Sequence, residues 1–216
     1  ILIGSDVSSR YTRRNRAEYR KIAGYIARCV WQRPGNYMVF FPSYRLMEDV
    51  LQVYEEEFSV DWVRCVCQTP DMTEQEREGF LEEFQEREGT LVGFCVLGGI
   101  FSEGVDLTGE SLIGAVIVGT GLPQIGSQRE ILKEYYDKKN HCGFDYAYRY
   151  PGMNKVLQAA GRVIRTKEDK GVILLLDDRF WDRDYQEIFP RECQDRTGCR
   201  LDTVEGAVET FWKRFT

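Results

Sequence analysis

Ala115-Val116-Ile117-Val118 and Val172-Ile173-Leu174-Leu175-Leu176 are unbroken apolar runs with no polar residue at alternate positions. A strand written this way is covered on both faces, as happens in a parallel sheet held between two layers of helix. Three further strand-like runs precede them. Tyr37 to Phe41 is closed by Pro42, Trp62 to Gln68 follows, and Leu91 to Leu97 is the third. With Leu112 to Gly119 and Gly171 to Asp177 they make five predicted strands.

Helical spacing fills the intervals. Ile22, Ile26 and Val30 recur four apart across Ala17 to Val30, and Arg33-Pro34-Gly35-Asn36 breaks that pattern. Leu46, Val50 and Val53 place a second helix from about Ser43, and the capping box Thr73-Glu74-Gln75-Glu76 opens a third through Phe80, Leu81 and Phe84. A fourth is expected from Pro151, a favoured first-turn residue, to Arg165, and a closing one over Val204 to Phe215. Strand-to-strand spacing of roughly 25–30 residues is that of parallel βαβ units. The reading is one open, mostly parallel α/β sheet flanked by helices, with Trp181 to Gly198 irregular.

Composition narrows the class. The chain has 216 residues, 43% hydrophobic and 30% charged, which excludes disordered and collagen-like proteins and suffices for a sizeable core. No stretch approaches the ~20 apolar residues of a membrane span, so no membrane partner is expected. The start at Ile1 carries neither an initiator Met nor a signal sequence, and reads as a cut from a longer chain. The 7 Cys are odd in number, form no CxxC and sit partly inside apolar runs, so a reducing cytoplasm is expected, with no disulfide framework and no metal site in this chain. Cys65 and Cys67 share one strand face, which is expected to be core. Net charge is −6, but residues 1–33 carry 8 basic and 2 acidic side chains, and residues 48–90 carry 14 acidic and 3 basic. That asymmetry suggests a polyanion-facing side and a solvated acidic side.

No phosphate loop GxxxxGK[ST] and no GxGxxG occurs, so the chain does not cradle a nucleotide alone. His141, the single histidine, has no nucleophile paired with it and reads as a surface residue. Three segments can carry chemistry. Gln158, Arg162 and Arg165 fall at i, i+4 and i+7, an amide and two planar cations suited to the spread charge of a transferring phosphoryl group. Ser102, Glu103, Gly104 and Asp106 follow a strand's carboxyl end, where ligands of open parallel sheets sit. Ser43 and Tyr44 stand where a strand runs into a helix N-terminus, a plausible phosphate and base contact. Each also has a plain structural reading: a solvated helix face, a turn with capping carboxylates, and an N-cap beside packing aromatics.

Taken in order, these segments resemble conserved motifs in the second motor domain of superfamily 2 helicases of the XPD/DinG branch. Phe40-Phe41-Pro42-Ser43-Tyr44 is similar to that branch's FFPSY element, and Phe101 to Asp106 followed by Gly109 to its SEGxD…G element. Gln158 to Arg165 matches QxxGRxIR, and Asp177-Asp178-Arg179-Phe180 resembles the trailing D-x-R-[FY]. The likeness covers roughly residues 8–185 and leans toward bacterial DinG-type members.

The resemblance implies a RecA-like, three-layer α/β/α fold of the P-loop NTPase type, occupying 1–216 as a piece of a longer chain, with 181–216 set apart as a C-terminal extension. It implies ATP and Mg2+, bound between this lobe and a first lobe that carries the phosphate loop, the metal ligands and, in some members, an iron–sulfur cluster. Arg165 and Arg162 would reach the γ-phosphate and Gln158 would orient the site. Glu103, Gly104 and Asp106 would touch the nucleotide or couple it to DNA, and Ser43, Tyr44 and Ser102 would lie along single-stranded DNA. Family members move 5′ to 3′ in DNA repair or replication, and the fragment alone is expected to be inactive. Arg10, Arg13, Arg14 and Arg16 are further candidates for DNA or first-lobe contact. The competing readings are a silent binding or interaction module and an RNA-directed helicase.

Overall fold

The computed structural model describes residues 1–85, 89–101, 111–164 and 168–215. Among them, seven strands form one sheet: β1 (Leu2–Gly4), β2 (Asn36–Phe41), β3 (Val63–Cys67), β4 (Thr90–Val96), β5 (Gly114–Val118), β6 (Val172–Leu176) and β7 (Thr197–Cys199). Their order is β3-β4-β2-β5-β6-β1-β7, and every pairing is parallel.

The period-two alternation of each strand sorts its side chains onto two covered faces. Val39, Phe41, Phe94, Val116 and Leu174 point to a core closed by α1 (Arg16–Val30), α2 (Tyr44–Glu57) and α7 (Val204–Lys213). Met38, Phe40, Cys95, Ile117 and Leu175 point to a second core under α3 (Glu74–Glu83) and α5 (Tyr150–Ala160). The result is the three-layer α/β/α arrangement expected. Phe41 stacks on Phe94 at 6.0 Å between centroids, and Tyr54 of α2 meets Phe94 edge-on at 5.7 Å. Each such ring, fully buried, contributes about 1.5–3 kcal/mol relative to exposure. Cys65 and Cys67 both pack against the first core as expected, and burial pushes each thiol up to about 11.

The helix starts obey the sequence. Asn15 caps α1 by accepting from the Glu18 N–H, and Thr73 with Glu76 forms the reciprocal capping box of α3. The tail departs from its irregular reading. Besides the short α6 (Arg183–Gln186), it supplies β7, which pairs with β1 and continues the sheet, while Val204, Val208 and Trp212 of α7 enter the first core. Neither three-residue strand carries enough pattern to be seen in the sequence. Also unannounced is α4 (Ser127–Asn140), none of whose residues is buried, followed by a π-helical stretch over Asp145–Arg149 that runs into α5.

The two charge blocks do not occupy opposite sides. With α1 and α2 side by side on one face, Arg16 pairs with Glu56 (2.7 Å) and Glu57 (3.2 Å), and Arg20 with Glu57. Two of the eight basic N-terminal side chains are thereby paired within the domain.

Candidate functional site

The carboxyl ends of the strands gather the first group. Phe41 ends β2, and Ser43 takes extended backbone and caps α2, its Oγ accepting from the Leu46 N–H at 3.4 Å. Tyr44 opens the helix half-buried. Its hydroxyl oxygen accepts from Gln68 Nε2 at 2.9 Å, which leaves its own proton available to a ligand, and burial pushes the phenol up. Gln68 is anchored in turn, since its Oε1 accepts from the Val96 N–H at 3.0 Å. Buried Gln68 was not singled out from sequence. A Gln closing a strand-like run was the signal available.

Beside this group lies a small cleft lined by Ser9, Arg10, Tyr11, Arg14, Pro42, Thr120, Gly121, Leu122 and Arg179. Its floor is an ion-pair cluster. Asp177, fully buried, accepts from Arg179 Nε at 2.7 Å and Nη2 at 2.9 Å, and from the Ser9 N–H at 2.8 Å and Oγ at 2.7 Å. Burial alone would push its carboxyl up. The hydrogen bonds and charge of Arg179, with the Ser9 donors, outweigh that and hold it below the usual range. Asp177 and Arg179 of the D-x-R-F stretch thus tie the 8–14 loop to the end of β6.

The arginines of that loop differ. Arg13 pairs with Glu18 (3.3 Å) and Asp178 (3.5 Å), and Arg10 lies 3.8 Å from Asp178. Arg14 instead donates to the Ser9 carbonyl at 3.3 Å and sits 5.6 Å from the ring centre of exposed Tyr11, with no carboxylate partner among the described residues.

The second group lies elsewhere. α5 starts at the carboxyl edge, where Gly152 packs so closely on Thr120 and Gly121 that a Cβ would come 2.6 Å from the Thr120 carbonyl oxygen. It points toward the amino edge, where Val163 fills the space left by Gly171. This corrects the expected helix to Arg165, which ends at Ala160. The next bonds, Arg162 N–H to Ala159 O and Val163 N–H to Ala160 O, are tighter i→i−3 turns that swing Val163 onto the sheet. Gln158 is therefore an exposed last-turn residue and Arg162 a half-buried residue of the following turn, rather than members of one regular face. Val156, Ala160 and Val163 face the core. Ser102, Glu103, Gly104, Asp106, Gly109 and Arg165 lie outside the described residues. The loop toward them begins at Gly98, whose positive φ of 70° suits glycine and whose missing side chain is replaced by the stem of Lys155.

Chemically, the α5 end offers the Arg162 guanidinium as donor and the Gln158 amide as donor and acceptor, with no carboxylate between them. Among the described residues, no group of three or more His, Cys, Asp or Glu side chains could hold a metal ion. That donor set suits one flank of a polyphosphate and not its metal. No helix among the described residues is long and apolar enough to cross a membrane.

A family profile described as helicase C-terminal domain matches residues 26–196. The chain is 30% identical to the ATP-dependent DNA helicase XPD of Sulfolobus acidocaldarius over 82% of its own length and 31% of that protein's. It is 30% identical to the regulator of telomere elongation helicase 1 homolog of Drosophila melanogaster over 81% of itself and 19% of that protein. A solved structure titled XPD helicase superimposes with a TM-score of 0.75 at 24% identity, over 92% of this chain and 34% of that one. The chain thus spans about a third or less of the curated relatives it matches.

Proposed function

The chain belongs to the helicase C-terminal domain family, and from that footing we propose that it is the second motor lobe of an ATP-dependent DNA helicase of the XPD/DinG type. The observation that carries the reading is the separation of two donor groups on one rigid sheet. Ser43, Tyr44 and Arg14 stand at the carboxyl edge, and Gln158 and Arg162 lie at the far end of α5. Two ligands at two sites is what a motor requires, because it must couple nucleotide state to movement on a strand. Bound ATP with Mg2+ would supply the phosphoryl transfer, with its metal ligands, and any iron–sulfur cluster, in a first lobe of the same protein.

In this reading Arg162 and Arg165 reach across to the γ-phosphate and stabilise the charge that develops there, while Gln158 orients the site. Glu103, Gly104 and Asp106 touch the nucleotide and couple it to the strand. Ser43, Tyr44 and Ser102 hold single-stranded DNA through its phosphates, a mode that carries no sequence information. Translocation 5′ to 3′, a role in repair or replication, a cytoplasmic setting and kinship with DinG-type members rest on the motif resemblance.

Of the four N-terminal arginines read as DNA contacts, geometry favours Arg14, the one whose charge is not already met by an acid. Arg14→Ala in the full-length protein is expected to weaken single-stranded DNA binding evenly across sequences. It should also flatten the slope of log affinity against log salt by about 0.7, the share of one phosphate contact. Anisotropy titrations over a salt series check this. An unchanged slope would remove Arg14 from the strand's path.

A further inference from the structure

Outside both groups stands the hairpin of α4 and the π-helical stretch. It is internally locked. Gly143 donates to Asp137 Oδ1 at 2.8 Å, Arg129 Nη1 donates to the Ala147 carbonyl at 2.8 Å, and the Tyr148 hydroxyl donates to Glu130. Tyr136 stacks on Tyr146 at 4.0 Å with 8° between planes, and Tyr146 meets Tyr150 edge-on at 5.3 Å. Yet a helix with no buried residue keeps an apolar face in water. Tyr135 is 56% exposed and Ile131 68%, beside Leu132, Tyr146 and Tyr150. Rigid, exposed aromatic rings that no core requires mark a recognition face.

The charges around the rings select the occupant. The acids Glu130, Asp137 and Asp145 are engaged by Tyr148, Gly143 and Arg149. Lys138 and Lys139 are exposed without a carboxylate partner among the described residues, and the Lys139 ammonium lies 5.8 Å from the centre of the Tyr135 ring. Glu134 is the exposed acid of the helix that no cation meets. Open rings bordered by unpaired lysines match a single strand's bases and phosphates. Resting on the motor-lobe reading, we infer that this hairpin is an auxiliary single-stranded nucleic-acid platform on which unpaired bases stack, with Tyr135 as its principal ring.

The test compares an oligothymidylate with an abasic strand of equal length, both titrated against the full-length protein. Tyr135→Ala is expected to weaken oligothymidylate binding by about 5- to 150-fold, the range of one base-stacking contact, and to leave the abasic strand unaffected. Tyr135→Phe, which keeps the ring, should bind as the native protein does. Arg14→Ala should weaken both strands alike. If native protein binds and Tyr135→Ala matches it on both strands, the platform is overturned while the motor reading stands. If Tyr135→Ala instead turns a dimer into monomers at unchanged DNA affinity, the face belongs to a second copy and the platform is likewise overturned. Failure of the native protein to bind either strand would overturn the motor reading itself.

Discussion

Arg165→Ala in the full-length protein is expected to lower ATP turnover on single-stranded DNA by about 10³–10⁵, the loss typical of an arginine finger. At 1.36 kcal/mol per tenfold, that asks the side chain for roughly 4–7 kcal/mol of barrier lowering. A planar cation delivers this by meeting charge as it forms on the transferring group, in a cleft closed to water. The effect should fall on kcat and leave DNA affinity in place, since the proposed strand contacts Ser43, Tyr44 and Arg14 do not include Arg165. Arg162→Ala should act in the same direction. Arg162 leaves the helix in a tight turn anchored by buried Val163, which restricts where its guanidinium can go. Steady-state turnover at saturating ATP and DNA is the measurement. A loss smaller than tenfold for both variants would overturn their assignment to the γ-phosphate.

Arg179→Met is expected to destabilise the fold by about 3–5 kcal/mol, because it leaves the fully buried Asp177 carboxylate without its cation, held only by the Ser9 donors and the backbone N–H at position 179. The native carboxyl gives up its proton more readily folded than unfolded. Its stabilisation is therefore complete above the ordinary carboxylate value of 3.8 and is lost as the pH falls from there through the folded value. Without Arg179 the burial that pushes the carboxyl up goes unopposed by charge, so the folded variant takes up a proton there more readily than the unfolded chain and the stability gap between native and variant should narrow as the pH falls. Urea unfolding over a pH series reads both effects. Equal midpoints for native and variant at neutral pH would show that the Ser9 donors and the backbone N–H at position 179 satisfy the acid without a cation. The 8–14 loop is bound to the same cluster, so Arg14 and Tyr11 should lose their placement when it is broken.

The fold was legible where patterns were long. The runs Ala115–Val118 and Val172–Leu176 declared a doubly covered parallel sheet, and Ile22, Ile26 and Val30 declared α1, because burial on two faces or one stripe dictates those residues. β1 and β7 were not legible. Three residues carry no period, and both exist because neighbouring strands supply hydrogen bonds, such as Thr197 N–H to the Ile1 carbonyl. α4 hid for the opposite reason, having no buried stripe to show. At the site, Ser43 was readable as a helix cap from its place after Pro42. Gln68, the prop of Tyr44, was not, because its role arises from a contact across 24 residues. The helix end at Ala160 was overrun because Gly161-Arg162-Val163 continues the spacing, while the tertiary demand of Val163 for the space above Gly171 turns the chain early. Charge blocks likewise mislead when read along the chain, since Arg16 and Glu56 become neighbours only once α1 and α2 pack.

The central claim, that this lobe couples a nucleotide to a DNA strand, is tested most directly by the ATP turnover of the full-length protein with and without single-stranded DNA, set beside single-stranded RNA of the same sequence. The account predicts turnover that rises on adding DNA and rises less on RNA. Turnover indifferent to DNA, or absent altogether, would contradict it and leave a helicase-like fold serving as a binding module.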